Sequence, residues 1–208
     1  MFPVESMQRA KRIDNQSPHE AALLAQTAVL VEILLMMPIR LKNLANLHLE
    51  QHLEWRGDRV FLIIPDHEVK NREPIEFEAQ GPTGKLIKTY VDQFRPRLSN
   101  GSGYLFPGKK PGEPKNATHL SRQVTKRLFK STGLRLTTHQ FRHVAAKIWL
   151  EENPGSYEIV RRILHHRSID TTTASYTGFE SRSAFLQYDT LILEQRRRFL
   201  TVKSEHDV

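Results

Sequence analysis

The chain has 208 residues, 38% of them hydrophobic, enough to fill the core of one ordinary domain with tails. Thirty-one Lys and Arg against 23 Asp and Glu give a formal net charge of +8, which favours polyanionic partners such as DNA, RNA or an anionic membrane surface. There is no cysteine, which excludes a disulfide framework, a thiolate metal site and a cysteine nucleophile, and agrees with a reducing cytoplasm.

Residues 1–16 are polar and mixed, with no basic stretch leading into an apolar one, so they read as a linker or arm rather than a signal peptide. Ser17-Pro18-His19-Glu20 is a helix start: Ser17 as N-cap, Pro18 at the first position, Glu20 placed to return a capping bond. The helix should run to about Met37, where Pro38 stops it. Its apolar residues go almost all the way round, so it belongs in the core. Gln26 and Glu32 within it, and the Pro at its end, favour a buried helix over a membrane span, and no membrane partner is expected. A second helix starts near Leu41, with Leu41, Leu44 and Leu47 at helical spacing.

The period then changes. Val60 to Ile64 reads as a strand entered through the turn Arg56-Gly57-Asp58. Ile75 and Phe77 alternate with Glu76 and Glu78 in another. These predict a small antiparallel sheet, with Lys70 at or near a hairpin tip in the polar connection 66–73. Gly81-Pro82-Thr83-Gly84 opens a helix to about Phe94, and residues 100–118 form a loop rich in Gly, Pro and Lys.

From Leu120 to Lys130 the pattern is helical again. Leu120, Val124 and Leu128 form one stripe; Arg122, Lys126 and Lys130 form another about 200° away, at ~100° per residue. The first stripe faces the core, and the cationic one suits phosphate contacts on DNA. Thr137 and Gln140 form a T-x-x-Q capping box for a helix ending before Asn153-Pro154-Gly155. Ser156 caps a further helix to Leu164 or His165. A short one from Ser168 leads to Tyr176, and a last one, about Tyr188 to Leu200, carries Arg196-Arg197-Arg198. The fold class is mainly α with a small antiparallel β-sheet.

Arg40, Lys70, His139, Arg142, His166 and Tyr176 suggest one chemistry. A phenol with a pKa near 10 is a poor nucleophile at neutral pH, so it needs a base or positive charge beside it. His139 can serve as the base, since an imidazole is readily neutral near pH 7. Two arginines bind phosphate oxygens in pairs through their planar forks. A lysine on a hairpin can protonate a leaving alkoxide, and His166 can add a hydrogen bond to the phosphoryl group.

Four boxes in this order resemble the tyrosine recombinases, the phage-integrase family. Leu164-His165-His166-Arg167-Ser168-Ile169-Asp170-Thr171-Thr172-Thr173-Ala174-Ser175-Tyr176-Thr177 is similar to its C-terminal signature. Thr138-His139-Gln140-Phe141-Arg142-His143 is similar to its H-x-x-R box, and Pro38-Ile39-Arg40-Leu41-Lys42-Asn43-Leu44 to the box of its first arginine. Val69-Lys70-Asn71-Arg72-Glu73 sits where its hairpin lysine is expected.

The resemblance covers roughly residues 18–200 and implies a catalytic domain over 17–200, a tail at 201–208, and no N-terminal DNA-binding domain. It further implies that Tyr176 cleaves DNA to a 3′-phosphotyrosine. Arg40 and Arg142 hold the phosphate, Lys70 is the general acid, His139 assists proton transfer at Tyr176, and His166 supports the phosphate. Neither metal nor any other cofactor is required. Double-stranded DNA is the expected partner. Four protomers act on two duplexes, the C-terminal helix docks on a neighbour, and the protein alone is monomeric. The expected location is cytoplasmic, on the nucleoid when acting on DNA.

The chain departs from the family pattern at His165, where a Gly is usual, and at Asn43, where an acid is usual. Three other readings remain open from the residues: an inactive DNA-binding regulator of the same fold, a type IB topoisomerase-like enzyme, and a metal hydrolase using His139 and His143. The last lacks the Glu of H-E-x-x-H, which is Gln140 here. Tyr188, opening a helix expected to pack on the core, is the competing nucleophile. Lys42 and Lys85 are the competing lysines.

Overall fold

The computed structural model describes residues 1–57, 59–99, 101–176 and 188–194. The chain divides into two compact units: residues 1–142 with 163–165, and residues 143–162 with those from 166 onward.

The first unit is built around α2 (Pro18–Met36), buried on nearly every side from Ala21 to Leu34. A fully buried Leu, Ile or Val contributes about 1.5–3 kcal/mol, so this helix anchors the unit. Its three buried polar residues are satisfied, Thr27 through Oγ1, which donates to the Leu23 carbonyl at 2.8 Å. Gln26 Nε2 donates to Tyr90 Oη at 3.1 Å, and Glu32 Oε1 accepts from Thr83 Oγ1 at 2.5 Å. Residues 1–16, expected as a linker or arm, instead hold α1 (Phe2–Ile13), which packs along α2. Pro3, Ser6, Met7 and Ala10 form its buried stripe. The stripe is narrow and, apart from Met7, its residues are small or polar, so composition hid it.

Ser17 is the N-cap of α2 but makes no side-chain capping bond. Glu20 pairs with Arg127 instead, at 2.9 Å, and the Arg127 hydrogen bond holds its carboxyl below the usual range. A charge-assisted bond outcompetes the neutral cap.

The second expected helix is a short α3 (Leu41–Ala45), followed by α4 (Leu49–His52). The antiparallel sheet has three strands in the order β1 (Leu53–Arg56), β2 (Arg59–Ile64), β3 (Ile75–Ala79). Trp55 faces Val60, and Leu62 faces Phe77. Val60, Leu62 and Ile64 are buried, as strand alternation requires. Strand β1 is too short for its sequence to show that alternation.

In the connection from β2 to β3, Val69 is buried and Lys70 beside it is exposed. The helix opened by Gly81 is α5 (Gly81–Thr89); it widens into a π-helical turn over Tyr90–Phe94 and tightens over Arg95–Arg97. Helix α6 (Ala117–Thr132) is capped by Asn116, whose side chain accepts from the Thr118 and His119 amides, and ends at Gly133 in the left-handed region. Leu120, Val124 and Leu128 are its buried stripe, as expected.

The capping box at α7 (Thr138–Glu152) forms. The Thr137 amide donates to Gln140 Oε1 at 2.8 Å, and the Gln140 amide donates to Thr137 Oγ1 at 3.4 Å. The second unit holds α7 from His143 onward, most of α8 (Tyr157–Ile163), α9 (Ile169–Tyr176) and a helical stretch over 188–194. Glu158 bonds Arg161 and Arg162, which hold its carboxyl down to about 2. Ser168 Oγ accepts from the Asp170 amide at 3.0 Å and so starts α9. Tyr188, expected to pack on the core, is 60% exposed. Residues 195–200, with Arg196 to Arg198, and the tail at 201–208 lie outside the described residues.

Candidate active site

In the first unit the two arginines meet at one backbone corner. Pro38 ends α2, and Arg40 follows in an extended conformation as the N-cap of α3. Arg142, one turn into α7, is 5% exposed. It donates through Nη1 to the Pro38 carbonyl and through Nη2 to the Leu164 carbonyl at 2.6 Å. Arg40 Nη2 donates to the next carbonyl, that of His165, at 3.3 Å. Asn71 Nδ2 donates to the same oxygen at 2.9 Å. One peptide corner therefore fixes both guanidinium groups and the hairpin segment that carries Lys70.

The corner has a backbone reason for the glycine expected at 165. His165 has φ +48, in the left-handed region, which costs a side-chain-bearing residue roughly 1–2 kcal/mol. This turn aims the His165 carbonyl at Arg40. Burial and the charges of Arg142 and Arg40 push the His165 imidazole below its ordinary value, so a third cation is disfavoured there. His165→Gly is expected to be more stable than His165→Ala by about 1 kcal/mol, read from urea denaturation midpoints. Equal midpoints would show that the left-handed turn is not required.

Arg40 keeps unused capacity. Its Nη1 is buried and has no hydrogen-bond partner among the described residues, and the same holds for Asn43 Nδ2. Both residues line an open recess of about 420 Å³ with Lys42, Lys70 and Arg72. Buried N–H groups without partners are uncommon and need an explanation. Glu68, also in the lining, lies 3.3 Å from His52 Nε2, and the three other charged side chains beside Arg40 are cations, so the recess with its unpaired donors suits an anion. Asn43, standing where an acid was expected, adds a donor instead of a negative charge.

The second unit carries the tyrosine. Tyr176, the last residue of α9, is 3% exposed. His143 meets its ring edge-on, with centroids 5.4 Å apart at 60°; His166 stacks on it at 6.4 Å and 11°. The Nδ1 of His166 lies 2.9 Å from the hydroxyl of buried Thr172, which orients the imidazole. The main chain of His166 is held at both ends by Arg161: its amide donates to the Arg161 carbonyl at 2.9 Å, and Arg161 Nη1 donates to its carbonyl at 2.8 Å.

The first unit thus brings Arg40, Arg142 and His165 together and places Lys70 in the recess beside Arg40. His139 is exposed in the first turn of α7. The second unit brings His166 to Tyr176 and adds His143. Sequence reasoning weighed His143 only as a metal ligand four residues after His139. Its place directly after Arg142 was the available signal. It also passed over Asn71 and Arg72, both inside the lysine box. On α6, Arg122, Lys126 and Lys130 are all exposed, as expected.

This fold is shared with solved site-specific recombinases and integrases. The XerH site-specific recombinase bound to difH substrate in a pre-cleavage complex matches with TM-score 0.60 and 18% identity, covering 82% of this chain and 47% of that one. The XerA recombinase matches with TM-score 0.59 and 18% identity, covering 89% and 61%. The Tn1549 transposon integrase in complex with transposon right end DNA matches with TM-score 0.56 and 16% identity, covering 90% and 63%. At such identities the likeness is one of fold, and the chain spans less than two thirds of each protein. Residues 6–181 match the phage integrase family model, and the chain belongs to that family. The match begins at residue 6, inside α1. No curated protein matches the chain.

Proposed function

We propose that this chain is the catalytic part of a site-specific DNA recombinase or integrase, and that Tyr176 is its nucleophile. The observation that carries this reading is the pair of arginines converging on the Leu164-His165 corner, with Arg40 Nη1 buried and unpaired beside a cationic recess. A phosphodiester supplies the oxygens such donors lack.

In the proposed reaction the Tyr176 hydroxyl attacks the phosphorus and its proton passes to His139. The bond to the 5′ oxygen breaks, and Lys70 protonates that oxygen. A 3′-phosphotyrosine and a 5′-hydroxyl result. Arg40 and Arg142 neutralise the non-bridging oxygens as charge builds, and His166 adds a hydrogen bond. A 5′-hydroxyl from a second duplex then attacks the phosphotyrosine, and Tyr176 recovers its proton. One ester replaces another at each step, so neither ATP nor a metal enters the balance. Double-stranded DNA is the substrate and the cytoplasm the place of action.

Active complexes hold four protomers on two duplexes, and the free protein is a monomer. Tyr188, Leu191 and Leu193 are each more than half exposed on the 188–194 helix, surface that a neighbouring protomer would cover. Arg122, Lys126 and Lys130 contact DNA phosphates. Replacing all three by Ala should reduce the slope of log affinity against log salt by about 2–3, measured by fluorescence anisotropy on a duplex. An unchanged slope would remove α6 from the DNA interface.

Covalent trapping tests the reading. Candidate-site duplexes with a 5′-bridging phosphorothiolate are incubated with the protein in EDTA and run on a denaturing gel. A protein–DNA adduct is expected. Bound DNA with no adduct would favour the inactive regulator, and plasmid relaxation without joined products would favour the topoisomerase.

A further inference from the structure

A second cation-lined cavity, made of other residues, lies in the first unit. Lys115, in the loop before α6, donates from Nζ to Gln26 Oε1 at 2.7 Å and to Gln123 Oε1 at 2.6 Å. Both amides are locked with their oxygens toward the ammonium. Gln26 Nε2 is spent on Tyr90 Oη, whose own proton goes to the Leu105 carbonyl at 3.1 Å. Gln123 Nε2 is spent on Thr27 Oγ1 at 2.9 Å. The network presents two neutral acceptors to a charge.

Largely buried charges are normally paired, because neutral oxygens replace only part of the lost hydration. Among the described residues no carboxylate pairs with Lys115. The acids nearby are taken: Glu113 lies 3.7 Å from Lys110, and Glu20 holds Arg127. Burial and the charges of Arg127 and Lys109 pull the Lys115 ammonium down to about 8. Two of its three donors are used, which leaves one for a further partner.

Lys115 lines a cavity of about 440 Å³, within the range of small-molecule sites. Leu23, Leu98, Pro107 and Pro114 give it apolar walls. Lys109, Lys110 and His119 add exposed basic groups to its lining, which also includes Glu113 beside Lys110. An apolar body fits such walls, and an anionic group fits an ammonium that only neutral oxygens face.

We propose that this cavity binds a small organic anion, a phosphate or carboxylate on a partly apolar body, with half-buried Lys115 as its counter-charge. Lys109 and Lys110 draw the anion in. Lys115 bridges α2 and α6, so a bound anion would tie those two helices more tightly. The site is independent of the recombination reading, and no cleavage enters its test.

The probe is adenosine monophosphate, titrated into the full chain by calorimetry. Saturable one-to-one binding is expected, weakened at least about tenfold in Lys115→Met, where a charged partner is lost. The double variant Lys109→Ala, Lys110→Ala leaves the buried network intact and is expected to weaken binding several-fold, so the test survives if Lys115→Met fails to fold. Absence of saturable binding, or equal affinity in the double variant and wild type, overturns the proposal. A short DNA duplex added in competition should leave adenosine monophosphate bound; its displacement would assign the cations to a backbone phosphate and also overturn the small-molecule site.

Discussion

Tyr176→Phe is expected to abolish the covalent protein–DNA adduct, a loss of at least about 10⁴-fold in the rate of strand cleavage, while leaving the fold intact. The substitution deletes one oxygen and keeps the ring. Its contacts with the edge of His143 and the face of His166 are ring contacts and survive. The melting temperature should therefore move little, since a single hydroxyl hydrogen bond contributes about 0.5–1.5 kcal/mol. Tyr188→Phe is the matched control, because that residue is 60% exposed and is expected to retain full activity. Denaturing gels of trapped reactions, alongside melting curves, separate the outcomes. An adduct that persists in Tyr176→Phe and disappears in Tyr188→Phe would move the nucleophile to the C-terminal helix.

Arg142→Ala is expected to fail in both stability and chemistry. Arg142 is almost fully buried and donates to the carbonyls of Pro38 and Leu164. Truncation leaves both acceptors without that donor, at about 1–3 kcal/mol for each buried group left unsatisfied. It also opens a void and frees the corner that aims the His165 carbonyl at Arg40. A shift of the urea midpoint equivalent to about 2–5 kcal/mol is expected.

Arg142→Lys separates the two effects. It keeps the charge but has no planar fork to reach two carbonyls at once. It should recover part of the stability and still lose about 10²–10³-fold in cleavage, the usual cost of one misplaced oxyanion donor. Wild-type cleavage by Arg142→Lys would reduce the residue to a structural tie.

Several elements were legible because local chemistry set them. The T-x-x-Q box at Thr137 formed as read, since both its bonds lie within one turn. The stripe of Leu120, Val124 and Leu128 and the alternation of Val60, Leu62 and Ile64 follow from helix and strand period. Where local rules met a distant competitor they failed. Glu20 left its expected capping bond for Arg127, 107 positions away, because a charged partner outweighs a neutral amide. The stripe of α1 went unseen because Pro3, Ser6 and Ala10 read as polar or small until α2 covers them.

The sequence by itself determined the boxes, their order, the family and the residue types available to the reaction, because motif spacing along a chain carries that information. It also left a puzzle at His165 that only tertiary structure resolved. The expected glycine reflects a left-handed turn, and the turn exists to point one carbonyl at Arg40 and Asn71. Only the tertiary structure decided that Arg40 and Arg142 share a corner, that Asn43 adds an unpaired donor to the recess, and that His143 meets the ring of Tyr176. The physical reason is the same in each case. These contacts join atoms brought close from far along the chain, and no local pattern of residues records them.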